Sequence, residues 1–300
     1  IQSYNRVCEM FSVLQSQNKV DNDGIEGARK WYDSTTDFIT STKKRTFSMK
    51  LCSGLLNQPK MLPVRYAPLE IELELVGDPN EAVKTTNDDA NWTISNVQLK
   101  ADVVTLDNAL ENSYAEHLLS GKSLPINYGT YICQDQVVNG NNISVNISRA
   151  ASRLKSIFLS MTGAGHSASD ATNLKEFNNF WSALLGSPDQ DKEMEFQVQI
   201  GSKMYPEIPI RANAEAFSQL VKCLGVHNSA FHGVAITPYN YRSHNQIIGI
   251  DTEKVLNAGF TGINTRAGDL MTIKAKAINP GSPLEVILAS PRGFCAGVDR

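Results

Sequence analysis

The segment Leu69-Glu-Ile-Glu-Leu-Glu-Leu alternates apolar and acidic residues without a break. Successive side chains of an extended chain point to opposite faces, so Leu69, Ile71, Leu73 and Leu75 share one face and Glu70, Glu72 and Glu74 share the other. A helix would scatter the same residues around its circumference. The pattern therefore predicts a half-buried strand with one face in a core, and it makes the glutamates the wet side of that strand rather than a catalytic acid row.

The same alternation recurs along the chain. It appears in Phe47, Met49 and Leu51; in Val97, Leu99, Ala101 and Val103; and in Ile143, Val145 and Ile147. Met194, Phe196, Val198 and Ile200 repeat it, as do Met271, Ile273, Ala275 and Ala277. Turn chemistry separates these runs at Gly77-Asp78-Pro79-Asn80, Asn139-Gly140-Asn141-Asn142, Gly186-Ser187-Pro188 and Asn279-Pro280-Gly281-Ser282-Pro283. The cluster at 139 lies between two strand-like runs and reads as a hairpin turn.

Helical signals are few. Asn108 and Glu111 suit a capping box, with Leu110, Tyr114, His117 and Leu118 on one face and Gly121 as the stop. Asn213 is the expected cap of a second helix, with Ala214, Phe217, Leu220, Val221 and Leu224 at helical spacing and Gly225 ending it. Tyr4, Val7, Met10, Phe11 and Leu14 suggest a third. Strands dominate and do not alternate one for one with helices, which disfavours a parallel doubly wound sheet and favours antiparallel sandwiches. The helix at 108–120 is the natural divide, giving domains 1–120 and 121–300.

With 300 residues and 41% hydrophobic content the chain can bury a sizeable core. Its net charge of −3 leaves no broad basic footprint for nucleic acid, and Lys43-Lys44-Arg45 is too short to supply one. No apolar run reaches the ~20 residues of a membrane-spanning helix, and no signal-peptide layout opens the chain. The chain starts at Ile1 and ends at Arg300 directly after an apolar stretch, and it reads as a fragment or a processed product.

Cys8, Cys52, Cys133, Cys223 and Cys295 are odd in number and widely spaced, which favours buried thiols over a disulfide framework. The sequons at Asn91, Asn142 and Asn146 matter only in a secreted protein. His117, His166, His227, His232 and His244 include no pair at helical i, i+4 spacing, and His227 and His232 near Cys223 read as ordinary loop or core histidines. Asp21-Asn-Asp-Gly-Ile-Glu lacks a glutamate at the twelfth position of a calcium loop and reads as a solvated turn. Gly163-Ala-Gly-His-Ser-Ala lacks the third glycine of a dinucleotide fingerprint and reads as a loop.

The order of segments resembles the double jelly-roll major capsid proteins of polinton-like viruses, virophages and nucleocytoplasmic large DNA viruses. Thr46-Phe-Ser-Met-Lys-Leu-Cys-Ser-Gly-Leu-Leu and Leu62-Pro-Val-Arg-Tyr-Ala-Pro-Leu-Glu-Ile-Glu-Leu-Glu-Leu look like late strands of a first roll. Val97-Gln-Leu-Lys-Ala-Asp-Val-Val-Thr-Leu-Asp and the following helix look like that roll's last strand and the bridge to the second. Tyr131-Ile-Cys-Gln-Asp-Gln and Ser148-Arg-Ala-Ala-Ser-Arg-Leu-Lys-Ser-Ile-Phe-Leu-Ser are similar to opening strands of the second roll. Ile247-Ile-Gly-Ile-Asp-Thr-Glu-Lys-Val-Leu and Gly259-Phe-Thr-Gly-Ile-Asn-Thr-Arg-Ala-Gly-Asp-Leu resemble a late strand's approach there.

The resemblance implies an all-β double jelly roll, two antiparallel sandwiches with a few short helices, the first roll truncated at its N-terminal side and left with an open edge. It implies a structural protein rather than an enzyme, a homotrimer of pseudo-hexagonal outline in an icosahedral DNA-virus capsid. Partners would be neighbouring capsomers, penton and minor capsid proteins, with no specific nucleic-acid binding and no membrane span. The location would be the virion, after synthesis and assembly inside the host cell. Long connections at 163–192 and 225–246 would supply tower loops or neighbour contacts. No catalytic, cofactor-binding or metal-binding residue is assigned, and no cofactor is expected.

A carbohydrate- or receptor-binding β-sandwich is the alternative from another class. A second resemblance lies at the end of the chain, where Ala289-Ser-Pro-Arg-Gly-Phe-Cys-Ala-Gly-Val-Asp-Arg looks like the N-terminal signature of hydroxymethylbutenyl diphosphate reductase, an iron–sulfur enzyme. The family's cluster ligand would match Cys295, but one thiolate holds no cluster.

Overall fold

The computed structural model describes residues 51–75, 77, 91–138, 140–161, 180, 194–225, 234, 236–243, 245–252, 261–266, 270–278 and 283–296, with isolated positions 7, 10, 11, 14, 44, 46 and 48. The labelled helices are α1 (Gly54–Asn57), α2 (Asn108–Leu119), α3 (Asn213–Cys223) and α4 (Pro238–Ser243). The strands are β1 (Leu124–Val137), β2 (Ile143–Ile147), β3 (Ser156–Met161), β4 (Glu195–Ile200), β5 (Lys203–Ile210), β6 (Ile247–Asp251), β7 (Met271–Lys276) and β8 (Pro283–Ala296). Val7, Met10, Phe11 and Leu14 are helical, as their spacing predicts. The chain divides into two compact units, one of Ile1–Asn57, Gly129–Ala164 and Phe177–Pro291, the other of Gln58–Tyr128, Gly165–Glu176 and Arg292–Arg300.

The protein is an all-β sandwich. Its strands form two four-stranded sheets, ordered β1-β8-β3-β6 and β2-β7-β4-β5. Consecutive strands mostly fall in different sheets, so the chain crosses back and forth between the layers. This order is that of an eight-stranded jelly roll, built from two Greek keys.

The register explains the core. In the second sheet Val145, Ile273 and Val198 stand side by side, and the odd–even alternation turns Ile147, Met271, Ala275, Phe196 and Ile200 inward with them. In the first sheet Leu159 aligns with Ile248 and Val286, and Ile157 with Ile250 and Leu288. All of these side chains are buried in one cluster. Each such burial contributes roughly 1.5–3 kcal/mol relative to exposure, which is what drives the layers together.

Three expectations are corrected. The cluster at 139 does not make a hairpin between paired strands, because β1 and β2 lie in different sheets. Turn residues specify a reversal but not the partner; here Asn142 Oδ1 accepts from Ala277 N at 3.2 Å, and Asn141 O accepts from Ile278 N at 3.1 Å. Residues 69–75 and 97–103 form no strand, and the described residues before Leu124 contain none. Alternation prepares a face, but a strand exists only where another backbone pairs with it.

The third correction concerns helix caps. Asp107, one residue before the expected Asn108, caps α2 by accepting from Leu110 N at 2.8 Å. Asn213 is the first residue of α3, not its cap; its side chain accepts from Gln246, and Glu215 instead takes the Arg211 N–H at 2.7 Å. Gly121 and Gly225 end their helices at φ 78° and 69°, conformations that favour glycine. Phe47, Met49 and the turns at 78–80, 186–188 and 279–282 lie outside the described residues.

Candidate functional site

The two sheets differ on their outer sides. Every residue of β3 is buried, on both faces, since the outward Phe158 packs edge-on against Phe11, which also meets Tyr131 at a ring separation of 4.8 Å. Helix α3 covers β6. A side-chain carbon on Gly249 would stand 2.9 Å from the Leu220 Cα and 3.0 Å from the Cys223 Sγ, so only glycine lets helix and strand approach this closely.

The second sheet turns a polar side outward. Lys276 and Glu195 pair at 2.9 Å, and this hydrogen bond, with the nearby cations, holds the Glu195 carboxyl below its ordinary range. Thr272 Oγ1 donates to Asn146 Oδ1 at 3.0 Å, and Gln197 Nε2 donates to the Pro206 and Glu207 carbonyls at 3.1 Å. These residue types answer one another across the strands.

Loops at one end of the sandwich are tied by threonines. Thr265 Oγ1 accepts from Ala151 N at 2.8 Å and donates to Ala151 O at 3.2 Å. Thr252 Oγ1 donates to Leu154 O at 2.8 Å, while Leu154 and Ile263 form an isolated antiparallel bridge. The segment rich in Gly, Asn and Thr therefore serves a structural closure.

Burial shifts the titratable groups of the core. Burial pushes the Cys223 thiol and the Tyr241 phenol well above their ordinary values, with Asp251 raising the thiol further. Tyr241 donates to Ile247 O at 2.9 Å. Cys52, Cys133 and Cys223 are thiols rather than halves of a disulfide, and the buried Cys133 Sγ donates to Asp135 Oδ1 at 3.4 Å. The backbone around Cys295 belongs to β8. His117 is half-buried on α2; Cys8, His166, His227, His232, His244, the 21–26 turn and the 163–168 loop lie outside the described residues. Among the described residues no group of three or more His, Cys, Asp or Glu side chains converges as metal ligands. Nor is any described helix long and apolar enough to cross a membrane.

The unit containing residues 58–128 presents a different surface. Leu69, Ile71, Leu73 and Leu75 are exposed together with Glu70, Glu72 and Glu74, and so are Val97, Leu99 and Val103; Leu73 is 61% and Val103 84% accessible. Helix α2 has no buried residue, and its Glu111 pairs with Arg65. Contiguous exposed apolar rows are characteristic of interaction or binding surfaces.

The strand order defines the class as a jelly-roll sandwich. No family model matches the sequence, and no curated protein matches it. Among solved structures, the Faustovirus major capsid protein is similar at a TM-score of 0.41 and 9% identity, over 61% of this chain and 35% of that protein. The chain thus spans well under half of that protein's length.

Proposed function

We propose that the chain is a structural major capsid protein of a double jelly-roll DNA virus, with residues 121–300 as its second roll and 1–120 belonging to the first. The observation that carries this reading is the sheet order β1-β8-β3-β6 over β2-β7-β4-β5, the jelly-roll arrangement used by viral capsid domains. The sequence resemblance supports it from another direction, because the segments likened to the second roll become β1, β3 and β6 of this sandwich. The exposed apolar rows of 69–75 and 97–103 are the alternating segments likened to the first roll.

In this reading the physical work is association. Three copies form a ring of pseudo-hexagonal outline, and capsomers meet each other and the penton and minor capsid proteins in the virion. Obligate interfaces of this kind bury roughly 2,000 Å² or more. The role is structural and needs no catalytic residue or cofactor.

The test is the mass and appearance of the purified full-length protein, by light scattering and negative-stain microscopy. Trimers or shells support the proposal. A strictly monomeric protein that binds glycans on an array overturns it in favour of a lectin-like module, since jelly rolls also occur in lectins.

A further inference from the structure

Among the described residues strand β2 ends its sheet, with β7 on one side and no described strand on the other. An end strand turns the N–H and C=O of every second residue outward, a template for another chain. Natural edges are usually blunted by charge or proline, yet β2 reads Ile-Ser-Val-Asn-Ile and has neither. The opposite end strand, β5, carries Pro206 and Pro209, which lack the N–H that an incoming strand needs.

The protection of β2 comes from the other sheet. Gln134 of β1 sends its carboxamide to the outward edge, where Nε2 donates to Asn146 O at 3.4 Å and Oε1 accepts from Ser148 N at 3.1 Å. The same oxygen accepts from Ser148 Oγ at 3.2 Å. A carboxamide holds its donor and acceptor on one side, as a residue of a neighbouring parallel strand does when it bonds residues i−1 and i+1 of its partner. Gln134 thus occupies the position that one residue of an added strand would fill.

We propose that Gln134 is an edge lock, an intramolecular contact that keeps β2 from pairing with β2 of a second copy of this chain. The identity of the excluded partner follows from the edge itself. An uncharged, alternating strand is self-complementary about a two-fold axis, and β2-to-β2 pairing would fuse two four-stranded sheets into one. The lock concerns this edge alone and does not depend on the capsid reading.

The experiment uses the full chain carrying Ser144→Cys as a reporter on β2, with Gln134 intact or replaced by Met, which keeps volume and loses both bonds. A short bismaleimide is added across a concentration series, and the chain without Ser144→Cys corrects for the native thiols. The expected result is at least a tenfold rise in reporter-dependent cross-linked dimer for Gln134→Met. Adding Ser148→Pro, which removes the outward N–H, should return the dimer to the level of the intact lock. Equal cross-linking with and without Gln134, in proteins of matching near-ultraviolet circular dichroism, overturns the proposal. If Gln134→Met does not fold, Gln134→Glu, which keeps the acceptor for Ser148 and loses the donor to Asn146, is read by the same two criteria. Because the cross-link reports β2 contact specifically, trimers formed elsewhere on the chain neither produce nor hide it.

Discussion

Residues 194–200 and residues 69–75 are written almost alike. Each sets four apolar side chains against three polar ones at period two, yet Met194, Phe196, Val198 and Ile200 are buried while Leu69, Ile71, Leu73 and Leu75 are exposed. The difference lies in the neighbours. Strand β4 has β7 on one side and β5 on the other, so its backbone groups are paired and its apolar face meets the opposite sheet. Among the described residues no strand pairs with 69–75. An alternating pattern is thus a half-made contact, and the partner strand decides whether it becomes structure.

The largest test of this contrast is amide exchange. Amides of β3, β4 and β7 should exchange only through global opening, while those of 69–75 and 97–103 should exchange within a few-fold of an unstructured chain; matching protection in both regions would break the comparison. Next in size, Phe196→Ala should cost about 3–5 kcal/mol in denaturant unfolding, while Leu73→Ala should change stability by no more than about 0.5 kcal/mol.

A third prediction tests the cover of the first sheet. Gly249→Ala places a carbon against the Leu220 backbone and should destabilise by about 1–3 kcal/mol, read by thermal and urea melts. Smaller still, Asp107→Ala should remove about 1 kcal/mol from α2, visible as lost helical signal with the sandwich melt unchanged.

The last prediction concerns pH. Tyr241 and Cys223 have folded values raised above their ordinary 10.0 and 9.0, so the unfolded chain loses these protons first as pH rises. Their contribution is complete below about pH 9 and declines above it, so the sandwich should lose stability on the alkaline side. Tyr241→Phe should flatten that decline; an unchanged alkaline slope in the variant would contradict the assignment to this phenol.

Much of the sandwich was legible because burial on one face leaves a period-two trace. β2, β4 and β7 announce themselves this way, and α2 and α3 do so through helical spacing and terminal glycines. Strand β3 was harder, since Ser-Ile-Phe-Leu-Ser-Met is buried on both faces and carries no alternation. Strand β5 was hidden by Pro206 and Pro209, which argue against a strand everywhere except at an edge. Gln134 left no signal at all, because its role depends on β2 standing at the end of the other sheet, a property of topology rather than of local sequence. Gly249 carries no local signal for its role either, because that role depends on α3 packing over β6.

The contact between Gly249 and Leu220 has a mechanical consequence. At this one point the strand backbone lies against the Leu220 backbone and the Cys223 side chain, and Gly249 contributes no side chain that could yield. The position of α3 is therefore fixed relative to β6 at that point by backbone rather than by a rotamer, and β6 is in turn paired with β3.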